Sequence, residues 1–383
     1  MFPGRRHILP FLVLAWTLAA DAGARNGADL GQVQTVSLRF DELTELALGA
    51  GNPWRPPPVI HPGTPFLLLH LRFEDLGQGD WTLDLENENG EVQQSWSGAQ
   101  LRLEAPPTTE TWSREIAGEA VQVVLHGELQ GLRLTVDRYL HGRADPVIPR
   151  NIRGEEDFEN IHDILGKEIH RWGQPVVNLK ILTPEERYFQ CTGFLLTSDL
   201  VLTNRHCGIE QAQRVEVEFD YETPNRQGVE IRRMVAAEGA SSNADFAVLR
   251  LDEPVTRPHP IPLLDEAATA EDLPLILIQH PDNQPKQYTQ RDCRVEEPTS
   301  SNFFHHTCDT LGGSSGSPVF NQDGRVLGLH RLGFMETGSR GANQAVKSWA
   351  ILRDLRLDHC DLCQEIPGCP NPTCPRQNPR DSP

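Results

Sequence analysis

No cysteine occurs before Cys191, no cluster of lysines and arginines of useful length is present, and only one long apolar run is found. Each absence excludes something. A groove for phosphates needs a basic surface, and a formal net charge of −19 points the other way, so nucleic acid is excluded as a partner. The single apolar run, from Ile8 to about Ala20, follows Arg5 and Arg6 and ends among small residues, Ala20-Asp21-Ala22 and Ala22-Gly23-Ala24. That is the layout of a secretory signal peptide over 1–24, too short to span a bilayer comfortably, with an N-terminal anchor as the alternative. After its removal no membrane association is expected, and the predicted location is secreted or periplasmic. The cysteines agree, because disulfides persist in oxidising compartments.

What is present divides the chain. Residues 31–142 alternate like half-buried strands: TVSLRF puts Val36, Leu38 and Phe40 on one face, and WTLDLENENG does the same with Trp81, Leu83 and Leu85 before an Asn-Gly turn. Short strands between Gly, Pro and Asn clusters predict an accessory β-sandwich. No cluster with catalytic spacing is seen in it, so its expected role is to bind a partner, an unknown ligand, or to assist folding of the neighbouring domain. A linker rich in proline and charge is predicted over 143–158, and cleavage at Arg143, Arg150 or Arg153 would release the sandwich. Beyond it, VVNLKIL, FLLTSDLVLT, RVEVEF, FAVLRL, LPLILIQ, SPVF and RVLGLH read as strands of an antiparallel barrel over 159–358. Asp323-Gly324 marks a hairpin, and NQAVKSWAILRDL, 343–355, has helical spacing. The fold class is therefore all-β with a closing helix. The tail, 359–383, carries four cysteines, read as two disulfides or, alternatively, a zinc site.

Three local settings carry chemistry. Hydrolysis of an amide needs a nucleophile, a base, a group that orients the base, and donors for the developing oxyanion. His206 sits in CTGFLLTSDLVLTNRHC, where a Cys191–Cys207 disulfide would pin its loop; the bland alternative is a turn histidine. Asp245, in SSNADFAVLRLD, stands where a polar loop enters an apolar strand and suits a carboxylate that accepts an imidazole N–H, or else a turn cap. Ser315 lies in GGSSGSP, whose glycines allow a tight turn presenting the amides of Gly313 and Ser315 as an oxyanion hole around the attacking hydroxyl. A linker is the alternative, but a proline-led strand comes at once after it. The adjacent His305 and His306 lack a second cluster with metal-ligand spacing and are assigned to a strand near a Cys293–Cys308 bridge, and HDILGKEIH, 162–170, is assigned to a solvated segment.

CTGFLLTSDLVLTNRHC, NADFAVLRL and CDTLGGSSGSPVF together resemble the three signature segments of chymotrypsin-fold, trypsin-like serine endopeptidases, nearest to the bacterial branch that includes the glutamyl endopeptidases. The resemblance spans about 150–358 and implies a double β-barrel and a Ser-His-Asp triad, His206, Asp245 and Ser315. It implies an acyl-enzyme intermediate, no cofactor, no metal, and a protein or peptide substrate. Two departures stand out: Ser314 replaces the family's aspartate before the nucleophile, and Asn204-Arg205 replaces a small pair before the histidine. For specificity, Asp309, with Thr310 beside it, matches the position that attracts basic side chains, whereas His330 matches the histidine that holds acidic ones. The rival expectation is a catalytically inactive protease-like binding protein that recognises its ligand through the sandwich.

Overall fold

In the computed structural model, residues 28–369 are described apart from 42, 45–47, 49–51, 104–108, 144–149, 227, 300 and 334–342. The expected signal segment and Cys374 lie outside the described residues.

Alternating apolar strands form the sandwich, as the sequence predicts. In Trp81–Glu86, Trp81, Leu83 and Leu85 are buried and the intervening residues half-buried. This strand lies in a sheet ordered Val59–Ile60, Ala120–Gly127, Trp81–Glu86, Val92–Ser97. The facing sheet runs Ala28–Phe40, Leu132–Gly142, Phe66–Leu76, Glu110–Trp112. Their inner faces share one core that includes Phe40, Leu69, Trp81, Leu83, Val123 and Leu134. Burial of each such aliphatic side chain is worth about 1.5–3 kcal/mol.

The sandwich is joined to the next barrel in two ways. The start of Ala28–Phe40 pairs with Tyr188–Leu195, aligning Ala28 with Gln190 and Asp29 with Phe189. Close by, Lys180, whose side chain is 1% exposed, forms ion pairs with Glu115 of the sandwich and Glu218 of the barrel. Burial pulls the Lys180 ammonium down, but the two carboxylates outweigh that and hold it above its ordinary value. Tyr188 completes the junction, donating its hydroxyl hydrogen to Glu115 at 3.0 Å.

Six strands close the first barrel: Val176–Leu182, Tyr188–Leu195, Leu200–Thr203, Arg214–Phe219, Glu230–Ser241 and Phe246–Leu251. Closure comes from Val176–Leu182, which pairs with both Tyr188–Leu195 and Arg214–Phe219. The run FLLTSDLVLT is two strands rather than one, because the Thr197 hydroxyl takes the amide hydrogens of Asp199 and Leu200 and turns the chain. Glu230–Ser241 was not legible in the sequence, since its residues are mostly exposed or half-buried and show no clean apolar alternation.

The second barrel is a half-barrel of eight strands, in which Ile276–Gln279, Pro318–Phe320, Val326–Gly333 and Asn343–Lys347 are consecutive neighbours. The helix expected over 343–355 is corrected to Ser348–Asp358. Residues 343–347 are a strand because Val326–Gly333 and Phe303–His306 offer pairing on both sides. Ala350, Ile351, Leu352 and Leu355 of the helix enter the core between the barrels.

Disulfides join Cys191 to Cys207, Cys293 to Cys308 and Cys363 to Cys369. Cys363 and Cys369 are thus bridged rather than zinc-bound. HDILGKEIH is not solvated throughout: Ile161, just before it, and His170 within it are buried, and His170 lies 3.2 Å from Glu222. The later part of the expected linker is also fixed, with Arg150–Asn151 paired to Thr310–Leu311.

Candidate active site

The loop that carries His206 is a short turn, Arg205–Cys207, directly after Leu200–Thr203. The bridge to Cys191 holds one side of it, and the Thr203 hydroxyl donates to the Thr192 carbonyl at 2.7 Å. Asp245 lies between Glu230–Ser241 and Phe246–Leu251 with φ at 40°, on the positive side that aspartate adopts more readily than most residues. Its carbonyl accepts from the Asn204 side chain at 3.0 Å and from the Arg205 amide at 3.2 Å. The loop is tied to the closing helix through Ser241, which donates to Asp354 at 2.6 Å.

These restraints bring His206 and Asp245 together. His206 Nδ1 is 2.8 Å from Asp245 Oδ2, and the His206 backbone amide donates to Oδ1 at 3.1 Å. Burial raises the Asp245 carboxyl, but hydrogen bonds and charge from His206 and Arg331 outweigh it and leave the group below the usual carboxylate range. With Nδ1 committed as donor to a carboxylate, Nε2 is the basic nitrogen; it is buried and has no partner among the described residues.

Ser315, 3% exposed, lies on the turn between Thr310–Leu311 and Pro318–Phe320. Two glycines are required there. At Gly316, φ is +89° and an added Cβ would fall 2.0 Å from the Thr192 carbonyl oxygen; at Gly313, φ is +90° and the Cβ would fall 1.7 Å from Gln190 Oε1. The loop is bound to the first barrel by the Thr192 amide, which donates to the Ser315 carbonyl at 2.8 Å, and the Thr192 hydroxyl, which donates to the Gly313 carbonyl at 2.9 Å. The amides of Gly313 and Ser315 have no acceptor among the described residues. Ser314, which stands where the family places an aspartate, accepts the Leu311 amide hydrogen on its hydroxyl at 3.1 Å. The Ser315 hydroxyl itself points to the Arg331 carbonyl at 3.5 Å, a marginal contact, rather than to His206.

The two specificity cues are both engaged elsewhere. Asp309 is buried, with Oδ1 accepting the Arg153 amide at 2.8 Å and Oδ2 the Asp157 amide at 3.1 Å. Burial pushes its carboxyl up to about 6, against the pull of those amides and with the help of Asp157. Asp309 therefore clamps the connector instead of presenting a free anion. Thr310 donates to Asn343 at 2.9 Å, and Asn151 of the connector donates to the same oxygen at 2.8 Å. His330 is buried with Nδ1 3.1 Å from His306 Nε2. Burial, followed by the neighbouring His306, drives its imidazole well below the ordinary value, so it is neutral. Burial, then the neighbouring His305 and Arg153, lowers His306 to about 3.

Sequence reasoning missed three contributors. Thr192 and Gln190, the struts of the serine loop, look like ordinary strand residues. Arg331, whose Nε donates to Asp245 Oδ2 at 2.8 Å, comes after His330 with no spacing signal of its own. Among the described residues no group of three or more potential metal ligands is present.

The family model for the trypsin-like peptidase domain matches residues 191–329, a stretch containing His206, Asp245 and Ser315. An uncharacterized protein of Sinorhizobium fredii is 29% identical over 37% of this chain, which spans only 25% of that relative. Among solved structures, the serine endoprotease from Yersinia pestis is 21% identical, with a TM-score of 0.41, covering 49% of this chain and 64% of that one. The active form of the Rv3671c protease from M. tuberculosis is 17% identical, with a TM-score of 0.42, covering 55% and 90%. Residues 191–329 are thus similar to a trypsin-like peptidase domain.

Proposed function

We propose that the chain is an exported serine endopeptidase that hydrolyses peptide bonds through an acyl-enzyme on Ser315. One observation carries the reading: a single buried carboxylate, Asp245, takes both the ring Nδ1 and the backbone amide of His206, fixing the imidazole with Nε2 available as a base. The Ser315 hydroxyl leaves the Arg331 carbonyl and gives its proton to Nε2 as Oγ bonds to the substrate carbonyl carbon. The Gly313 and Ser315 amides receive the oxyanion. The proton then passes from Nε2 to the leaving amine as the C–N bond breaks, and water activated by the same nitrogen cleaves the ester. No cofactor enters these steps. Disulfides, and the lack of any membrane-length apolar helix among the described residues, support a secreted or periplasmic location.

For specificity, an acidic or neutral residue before the scissile bond is favoured over a basic one, in the manner of the glutamyl endopeptidase-like branch. Both oxygens of Asp309 are taken by backbone amides. If His330 Nδ1 accepts from His306, its Nε2–H is left as a neutral donor. The inactive binding-protein reading draws support only from the Ser315 hydroxyl contact with the Arg331 carbonyl, and apo geometry of this kind tightens in substrate complexes. Cleavage-site profiling on a peptide library tests the proposal. Cuts after acidic or neutral residues that vanish in Ser315→Ala are expected; no cleavage by the unaltered protein, or cleavage that survives Ser315→Ala, overturns it.

A further inference from the structure

We propose that Arg331 is a positioning residue that holds Asp245 and tunes the basicity of His206, an inference that rests on the hydrolytic reading above. Asp245 Oδ2 has two partners at the same distance, His206 Nδ1 and Arg331 Nε, each at 2.8 Å. The guanidinium is itself fixed: Nη1 donates to Gln344 Oε1 at 2.8 Å, and its carbon lies 4.8 Å from the centre of the Phe303 ring. Its side chain is 26% exposed, enough shielding for the charge to act strongly on Asp245.

The backbone explains how an arginine reaches this place. Val326–Gly333 pairs His330 with Ala345 but Leu332 with Gln344, so Arg331 is the extra residue of a β-bulge. A bulge re-aims the side chain it carries, and bulges recur beside active sites for that reason. At the same residue the carbonyl lies 3.5 Å from the Ser315 hydroxyl. One bulged position thus touches both ends of the catalytic set, the carboxylate by charge and the nucleophile by its carbonyl.

The electrostatic consequence has a definite sign. A cation on Asp245 offsets part of the negative charge that stabilises an imidazolium, and it also repels that imidazolium directly, so removing the charge is expected to favour the protonated ring. Few other charges bear on the pair. Arg205 is ion-paired with Glu210 at 2.9 Å, His305 stands beyond Gln344 with Glu297 3.3 Å away, and His330 is neutral.

Two measurements on the full chain test this. In Arg331→Gln the acid limb of kcat/KM should move up by about one pH unit, with kcat lowered several-fold, whereas Arg331→Lys should return the limb toward its original position. Independently of turnover, the His206 imidazole, followed by NMR in Ser315→Ala protein with 15N-labelled histidine, should titrate about one unit higher when Arg331→Gln is added. An unchanged His206 midpoint overturns the inference. So does a loss of activity equal at every pH with no movement of the acid limb, since that marks a purely structural role. If the unaltered protein has no peptidase activity, the hydrolytic reading fails, while the NMR titration still decides what Arg331 does to His206.

Discussion

In the sandwich, the buried polar side chains among the described residues are Thr64, His70 and Ser113; in the peptidase half they include Gln190, Thr192, Asn204, Asp245, Asp309, Ser315 and His330. Both regions use strands with apolar faces, and both bury most of that apolar surface in a core. The difference lies in what else they bury. A buried polar group without partners costs about 1–3 kcal/mol, so a core accumulates them only where hydrogen bonds offset the cost. In that half, the bonds of Gln190 and Thr192 hold the Ser315 loop, those of Asn204 and Asp245 hold the His206 loop, and those of Asp309 hold the connector. The sandwich has a plainer apolar core and meets the neighbouring barrel at its boundary, by the Ala28–Phe40 pairing and the Glu115–Lys180 ion pair.

A pair of glycine substitutions sharpens that comparison. Gly316→Ala places a Cβ against the Thr192 backbone at positive φ, so we expect a loss of about 3 kcal/mol in thermal or denaturant unfolding and at least a roughly 10²-fold fall in peptidase activity. Gly63 of the sandwich also has positive φ, +80°, but open space where the Cβ would lie. Gly63→Ala should therefore cost only about 1 kcal/mol, through backbone strain alone, and leave activity intact. Equal effects at the two sites would break the distinction.

The smaller prediction concerns two buried carboxylates with opposite fates. Asp245 is held below the usual range, and Asp309 is raised from 3.8 to about 6. An acid whose folded value is raised keeps its proton in the folded state at pH values where the unfolded chain has lost it. Stability from Asp309 should therefore fall as pH rises from about 4 to about 6, then level off. Denaturant midpoints across that window should lose this slope in Asp309→Asn, while the slope that Asp245 imposes, stability falling as pH drops below the usual carboxylate range, should remain. An identical profile in Asp309→Asn would contradict the assignment.

Much of this was legible in the sequence where local pattern and local chemistry coincide. Trp81, Leu83 and Leu85 alternate as they are buried, and the positive-φ glycines around Ser315 occur because no other residue fits. What was illegible is long-range. A strand such as Glu230–Ser241 is set by pairing with its neighbours rather than by its own apolar pattern. Asn343–Lys347 reads as the start of a helix until two strand edges claim it. Asp309 carries the sequence position of a specificity residue, but its role depends on amides 152 and 156 residues away in the chain. Arg331 acquires its contact with Asp245 from a bulge, and a bulge is a property of register.

The central claim is that the Ser315 hydroxyl is a nucleophile driven by His206. Labelling the folded, intact protein with a fluorophosphonate and mapping the adduct by mass spectrometry tests it most directly. One adduct on the peptide containing Ser315, abolished by His206→Ala, is the predicted result; an unlabelled Ser315, or labelling indifferent to the loss of His206, would contradict it.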